Sequence, residues 1–275
     1  MVNLLGKGFV GGRYCELYPD VIVNDREDYE VKSNNVLYFI STVDNYNVHT
    51  DPYIDIETNL IKLIETLESC KGKDVTFNFI SSWFVYGSTD LPAREDSYCN
   101  PTGFYSITKR CAEQLLISYC QIFGINYRIL RLANVLGNQD KKVSKKKNAI
   151  QYMIGQVLRN ETVSLYDGGT SYRDCIHVDD ACQAINLVLE KGNLNEIYNI
   201  GNGVPVNIYD VIHYAFSKSG STSKIENIET TEFHKIVQTT NMVLDVSKIK
   251  LLGYIPKYDK YSIIDSLIGI ENPTK

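Results

Sequence analysis

A short apolar strand running straight into closely spaced glycines constrains this chain more than any other stretch. Val2–Leu5 leads into Gly6-Lys7-Gly8-Phe9-Val10-Gly11, and Phe9–Tyr18 then reads as a short helix. In this GxGxxG, Gly6 permits a tight turn, Gly8 lets a pyrophosphate approach the backbone and Gly11 lets helix and strand pack closely. The helix start, with Phe9 and Val10, offers free N–H groups and the positive end of the helix dipole to phosphates. Asp25 stands 19 residues after Gly6, at the end of a second strand, Val21–Val23. A carboxylate there can accept hydrogen bonds from ribose hydroxyls and repels a 2′-phosphate, which favours NAD. Arg26 stands beside it and could receive such a phosphate, so NADP stays open, although a plain surface arginine is the preferred reading.

The rest of the first half alternates strand and helix. Val36–Thr42 is a continuous apolar run, as in a strand buried on both faces, and Thr42 at its end is counted with the cofactor site. Ile54–Leu67 carries apolar residues at helical spacing, at Ile56, Leu60, Leu63, Ile64 and Leu67. Strand Val75–Ser82, helix Phe104–Phe123 and strand Tyr127–Leu132 follow. This order predicts an α/β fold with a Rossmann-type, doubly wound parallel sheet. After residue 136 the rhythm loosens. The lysine-rich run from Lys141 to Lys147 reads as a solvated surface loop rather than a nucleic-acid patch. Helix Ala149–Leu158, strand Thr162–Tyr166, helix Asp180–Lys191 and strand Glu196–Ile200 come next. The expected division is a dinucleotide-binding domain over 1–136, with segments around 174–200 returning to it. A smaller, mainly substrate-binding lobe would occupy 137–275.

Tyr105-Ser106-Ile107-Thr108-Lys109 is YxxxK. On a helix, positions i and i+4 share a face, so the phenol and the ammonium lie side by side. A free tyrosine titrates near 10. Positive charge nearby, from Lys109 and from an oxidised nicotinamide, lowers that value and fits Tyr105 for proton exchange with a hydroxyl. With 20 tyrosines in the chain the pattern needs support, and Tyr214 to Lys218 repeats it. Ser82 supplies the support for Tyr105: it ends a strand 23 residues upstream, and no serine stands at that distance before Tyr214.

With Ser81-Ser82-Trp83-Phe84-Val85-Tyr86-Gly87 in view, the chain resembles the extended short-chain dehydrogenase/reductases, in particular the NAD-dependent sugar epimerase/dehydratase group. The resemblance covers nearly the whole chain. It implies catalytic roles for Ser82, Tyr105 and Lys109, and places the Asn of the family's helix on Asn59. Arg131-Leu132-Ala133-Asn134-Val135-Leu136-Gly137 and the segment from Gly169 to Asp180 match two further motifs. Through them the resemblance implies that Asn134 contacts a nucleotide-sugar and that Arg173 grips its diphosphate. Trp83 is counted with the sugar pocket. His177 is read as a core or hinge histidine, without chemistry.

Three departures from the family stand out. Leu5 occupies the place of the family's first glycine. Only ten residues separate Asp25 from Val36, where a helix and a strand are normal, so the sheet should be at least one strand short. Lys235 replaces a C-terminal arginine that helps hold the diphosphate; it keeps the charge and loses the bidentate fork. The 4,6-dehydratases carry an Asp-Glu pair just after the active-site hydroxyl residue. Here Trp83 and Phe84 hold those positions, and neither transfers a proton, which argues against a dehydratase.

The resemblance therefore implies an NAD(P)-dependent nucleotide-sugar epimerase. The alternatives are an NAD(P)H-dependent reductase of a nucleotide-linked keto sugar and, in another class, a dinucleotide-binding protein without catalysis. A net charge of −5 argues mildly against a duplex-DNA partner. No apolar run approaches the ~20 residues that span a bilayer, and the first residues do not read as a secretory signal. Seven scattered cysteines without zinc spacing suggest reduced thiols, no metal and a cytoplasmic setting. Apolar residues spread widely around Phe104–Phe123, at Leu115, Leu116, Ile117, Tyr119, Cys120 and Phe123, and point to a homodimer built on this helix and Ile54–Leu67.

Overall fold

The structure, a computed structural model, describes residues 1–238 and 241–270. Its main sheet has six strands: β1 (Val2–Leu5), β2 (Val21–Val23), β3 (Asn35–Tyr38), β4 (Thr76–Ser82), β5 (Asn126–Leu132) and the later Glu196–Ile200. They lie in the order β2-β1-β3-β4-β5 with Glu196–Ile200 at the far edge, and every pairing is parallel. The doubly wound sheet expected from the sequence is thus present. Strand order reverses between β1 and β3, and the glycine turn leaves β1 at that point. Open α/β sheets bind ligands in such a crevice, beyond the carboxyl ends of the strands.

β4 and β5 have buried side chains at nearly every position, so both faces are covered. One face packs helices Phe9–Leu17 and Val178–Lys191 through Tyr14, Ala181, Ile185 and Val188. The other packs helix Phe104–Phe123 and the helical stretch 53–69 through Leu63, Leu67, Ala112 and Leu116. A third cluster, with Leu136, Ile150, Ile154, Leu165, Val211 and Ile263, lies wholly in the second half of the chain. There β6 (Asn134–Leu136) pairs parallel with β8 (Tyr172–His177), and β7 (Val163–Tyr166) pairs with a strand over Ile225–Ile228.

The shortened sheet is also present. Residues 24–34 contain neither helix nor strand. The buried Asn24 ties this connection down, accepting from Asn3 Nδ2 at 2.7 Å and donating to the Asp28 and Glu30 carbonyls at 2.9 and 2.8 Å. One expectation needs correction. The apolar run Val36–Thr42 leaves the sheet after Tyr38, because Phe39 turns onto Gly11 and the Thr42 N–H is taken by the Asn59 side chain at 3.0 Å.

Candidate active site

The glycine turn has the shape its spacing predicts. Gly6 has φ +93°, and a Cβ there would lie 2.8 Å from the Ile40 nitrogen. A Cβ on Gly11 would come within 2.7 Å of the Gly6 carbonyl oxygen. Gly8 precedes the helix, and no heavy atom lies within 4 Å of where its Cβ would be. That open side leaves room for a pyrophosphate above the N–H groups of Phe9 and Val10. Asp25 is exposed just beyond the end of β2. Arg26 is exposed and lies 3.6 Å from Glu27. These residues fit a dinucleotide.

Ser82 closes β4, and its Oγ accepts the Phe84 N–H at 3.3 Å, starting a single helical turn over Trp83–Val85. Tyr105 and Lys109 lie on the first turns of helix Phe104–Phe123 and are 6% and 2% exposed. Ser82 and Ser41 lie close enough to the Tyr105 phenol to favour its ionised form. Burial nevertheless pushes that phenol above its ordinary value; the two hydroxyls oppose the shift and the Asp55 carboxylate adds to it. The lowering expected from Lys109 is therefore not built into the protein alone. The reason is that Lys109 is itself desolvated: burial drives its ammonium down to about 7, against the pull of Glu113, and it lies over the Phe79 ring, 4.2 Å from the centroid.

A depressed lysine value means that the folded state holds fewer protons than the unfolded chain at neutral pH. Stability is then greatest above the unfolded value near 10.4 and falls as the pH drops toward 7. Lys109→Met should accordingly raise stability at pH 7 by on the order of 1 kcal/mol while lowering turnover. Thermal melts at pH 7 and pH 10 check this, since the gain should shrink at the higher pH.

Around the phenol lies a polar cluster of which the sequence disclosed Asn59 and Thr42 but not Ser41, Asp55 or Thr108. The helical stretch 53–69 contains a π-helical turn, Glu57–Ile61, and the buried Asn59 sits in it. Asn59 donates to Thr42 Oγ1 at 2.8 Å and Thr108 Oγ1 at 3.0 Å, and accepts from Ser41 Oγ at 3.0 Å. Thr42 also donates to the buried Asp55 carboxylate. Thr42 thus engages both Asn59 and Asp55. The lysine-rich loop differs from expectation as well. Lys147 is half-buried, pairs with Asp140 at 2.9 Å and holds its ammonium 5.9 Å from the Phe9 ring, beside the glycine turn. A charge run carries no mark of such a fixed member.

On the substrate side, Asn134 in β6 donates to the Asp174 carbonyl at 3.1 Å, which sets it beside Arg173 in β8. Burial pushes the Arg173 guanidinium down to about 10, and its carbon lies 5.5 Å from the Trp83 ring centroid. Arg173 also donates from Nη1 to the Tyr172 carbonyl at 2.9 Å. Asp179 accepts from Arg13 at 2.6 Å, and Asp174 accepts the Asn202 and Gly203 N–H groups at 2.9 and 3.0 Å. Lys235, on helix Glu232–Val237, is exposed and pairs with Glu232 at 2.6 Å. His177 caps helix Val178–Lys191 and stacks on Tyr258. Tyr214 donates to Asp265 at 3.0 Å, away from Ser82 in the third cluster.

A model of the NAD dependent epimerase/dehydratase family matches residues 21–201, which include Ser82, Tyr105, Lys109, Asn134 and Arg173. The chain belongs to this family. Among its relatives, the low-salt glycan biosynthesis protein Agl12 of Haloferax volcanii is 29% identical over 221 residues, covering 79% of this chain and 68% of the relative. A dTDP-glucose 4,6-dehydratase of Mycobacterium tuberculosis is 31% identical over 177 residues, or 62% and 52% of the two chains. A solved UDP-glucose 4-epimerase of Thermotoga maritima, with UDP-glucose, superposes with a TM-score of 0.86 at 21% identity, covering 98% and 97%. That last likeness shows the fold alone.

Proposed function

We propose that this family member is an NAD(P)-dependent epimerase of a nucleotide-diphosphate sugar. The observation that carries the reading is the burial of Tyr105 and Lys109 one helical turn apart on helix Phe104–Phe123, beside the turn that Ser82 opens at the end of β4. A dinucleotide held by its pyrophosphate at the glycine turn would supply hydride acceptance and return, and a positive nicotinamide ring in its oxidised form. Ser82 then hydrogen-bonds the reacting sugar oxygen. Tyr105 Oη takes the hydroxyl proton and later returns it, while Lys109 orients the ribose and adds charge beside the phenol. The proposed division of labour follows the chain: 1–136 with segments near 174–200 hold the cofactor, and 137–275 mainly holds the sugar nucleotide. Incubating the protein and NAD with sugar nucleotides, followed by NMR of the sugar protons, should show inversion at one carbon without net NADH. Stoichiometric NADPH consumption would instead mark a keto-sugar reductase.

Arg173 and Asn134 are assigned to the diphosphate. Arg173→Ala should weaken UDP or dTDP binding by roughly 10–100-fold, the scale of a lost charge-assisted hydrogen bond. NAD affinity should stay nearly unchanged. Titration calorimetry with each ligand checks this, and equal losses would mean general destabilisation.

A homodimer and a cytoplasmic setting complete the proposal. Ile107, Leu115 and Ile122 on helix Phe104–Phe123 are exposed, and so are Ile54 and Ile61 on the helical stretch 53–69 that packs beside it. Two helices each showing an apolar outer face suit a second copy. Sedimentation at micromolar concentration should give twice the chain mass of 31.2 kDa; a sharp monomer would refute it. The seven cysteines are all free, as suits a reducing compartment.

A further inference from the structure

The lysine run after β6 lies across the crevice where strand order reverses. Lys146 holds its ammonium 5.2 Å from the Tyr46 ring, on the loop that follows β3. Lys147, the next residue, holds its ammonium 5.9 Å from the Phe9 ring, in the helix start that follows β1. β1 and β3 are the two strands that bound the crevice. The loop is pinned in this position. Asn148, at φ +60°, donates to the Val135 carbonyl of β6 at 3.0 Å and to Gln151 Oε1 at 3.2 Å. Ser144 and Lys147 exchange backbone hydrogen bonds at 3.2 and 3.1 Å. Asp140, whose side chain is 2% exposed, fixes the Lys147 ammonium at 2.9 Å. The lysine side chain stays 23% exposed, and an ammonium carries three donors, of which Asp140 takes one.

We propose that Lys147 is a ligand of the cofactor pyrophosphate, brought to the glycine turn by the loop that follows β6. The proposal rests on the reading of that turn as the dinucleotide site and adds a residue to it. The pyrophosphate belongs above the Phe9 and Val10 N–H groups, on the open side of Gly8. The Lys147 ammonium stands beside the same first helical residue. From there it donates a charge-assisted hydrogen bond, stronger than the neutral N–H groups of the turn supply. Asp140 holds the side chain in place before the ligand arrives, so little rotamer freedom is lost on binding. The partly buried setting also leaves the attraction less screened by salt than that of a fully exposed lysine.

The test is titration calorimetry on the full chain. NAD and NADP are compared first, and the tighter binder is carried through the variants, with UDP as the second ligand. Lys147→Met should weaken the cofactor by about tenfold, the lower end for a lost hydrogen bond to a charged group, and leave UDP affinity unchanged. Lys147→Arg keeps the charge and should keep most of the affinity. Lys141→Met, an exposed lysine at the start of the same run, should bind as the wild type does. Asp140 Oδ2 is buried without a hydrogen-bond partner, so Lys147→Met strands a carboxylate. Asp140→Asn combined with Lys147→Met removes both charges and should show the same loss of cofactor affinity. Unchanged cofactor affinity in that double variant overturns the proposal. So does a loss confined to UDP, or an equal loss with both ligands. Each of these outcomes leaves the dinucleotide reading standing, whereas failure of the wild type to bind either NAD or NADP overturns both.

Discussion

Tyr105→Phe should lower turnover by roughly 10²–10⁴-fold, the usual contribution of a positioned acid–base group, and leave the fold intact. The substitution removes one oxygen. The ring stays in its pocket against Phe84, and the nearby Ser82 and Ser41 hydroxyls have other partners: Ser41 Oγ bonds the Thr42 carbonyl at 2.7 Å and Ser82 Oγ accepts from Phe84. The pH dependence separates this role from a packing role. Burial holds the phenol above its ordinary value, so its base form becomes more abundant as the pH rises. For oxidation of the sugar, kcat/KM of the wild type should climb with pH, and the residual activity of Tyr105→Phe should lack that limb. Undiminished turnover in the variant would remove Tyr105 from the chemistry, whatever its position.

The largest stability effect is expected at Arg131→Met. Glu113 is fully buried beneath the active-site strand. Its carboxylate accepts from Arg131 Nε and an Arg131 terminal nitrogen at 2.9 and 2.8 Å, from Arg110 at 2.7 Å and from Ser81 at 2.6 Å. Burial, the largest single influence, raises its pKa, but Arg131, Ser81 and Arg110 together outweigh it and hold the value below the ordinary glutamate range. Removing one partner of such a buried pair costs about 3–5 kcal/mol, because the remaining charge is left desolvated. Arg110 and Ser81 stay in place, so the lower end of that range is expected. The sign with pH follows from linkage. A carboxylate with a depressed folded value contributes stability above its unfolded pKa, near 4.3, and loses it as the pH falls through the folded value. The difference between wild type and Arg131→Met in urea midpoint should therefore be large at pH 7 and shrink toward pH 3. Glu113→Gln in the Arg131→Met background should recover part of the loss, since it removes the stranded charge. A constant difference across pH would mean that packing, not charge, holds Arg131.

What could be read beforehand follows from how local each signal is. Phe104–Phe123 was legible to the residue because glycines bracket it: Gly103 precedes it, and Gly124 ends it in the left-handed conformation at φ +67°. The glycine turn was legible because close backbone approach admits no other residue at Gly6 and Gly11. The missing strand was legible as plain shortage of chain between Asp25 and Val36. The end of β3 was not, because an apolar run looks the same whether it pairs in a sheet or, like Phe39, packs across a turn. Ser41, Asp55 and Lys147 were invisible for a related reason. Each gains its place from a partner far along the chain or in another element, and no spacing announces it. Phe84 was noticed only for the proton it cannot transfer, while its position against Tyr105 required coordinates.

The π-helical turn Glu57–Ile61 has a consequence for how this protein tolerates changes in length. A π turn is one residue more than a regular turn needs. Losing a single codon there would let the helix become regular, and a regular helix is locally the easier conformation. The wide turn absorbs its extra residue, so the helix on either side would stay nearly in phase. What would be lost is the wide turn itself, on which Asn59 faces Thr42 and Thr108. Deleting Thr58, the half-buried second residue of the turn, should therefore disrupt the cluster beside Tyr105 while keeping the exposed Ile54 and Ile61 on one outer face.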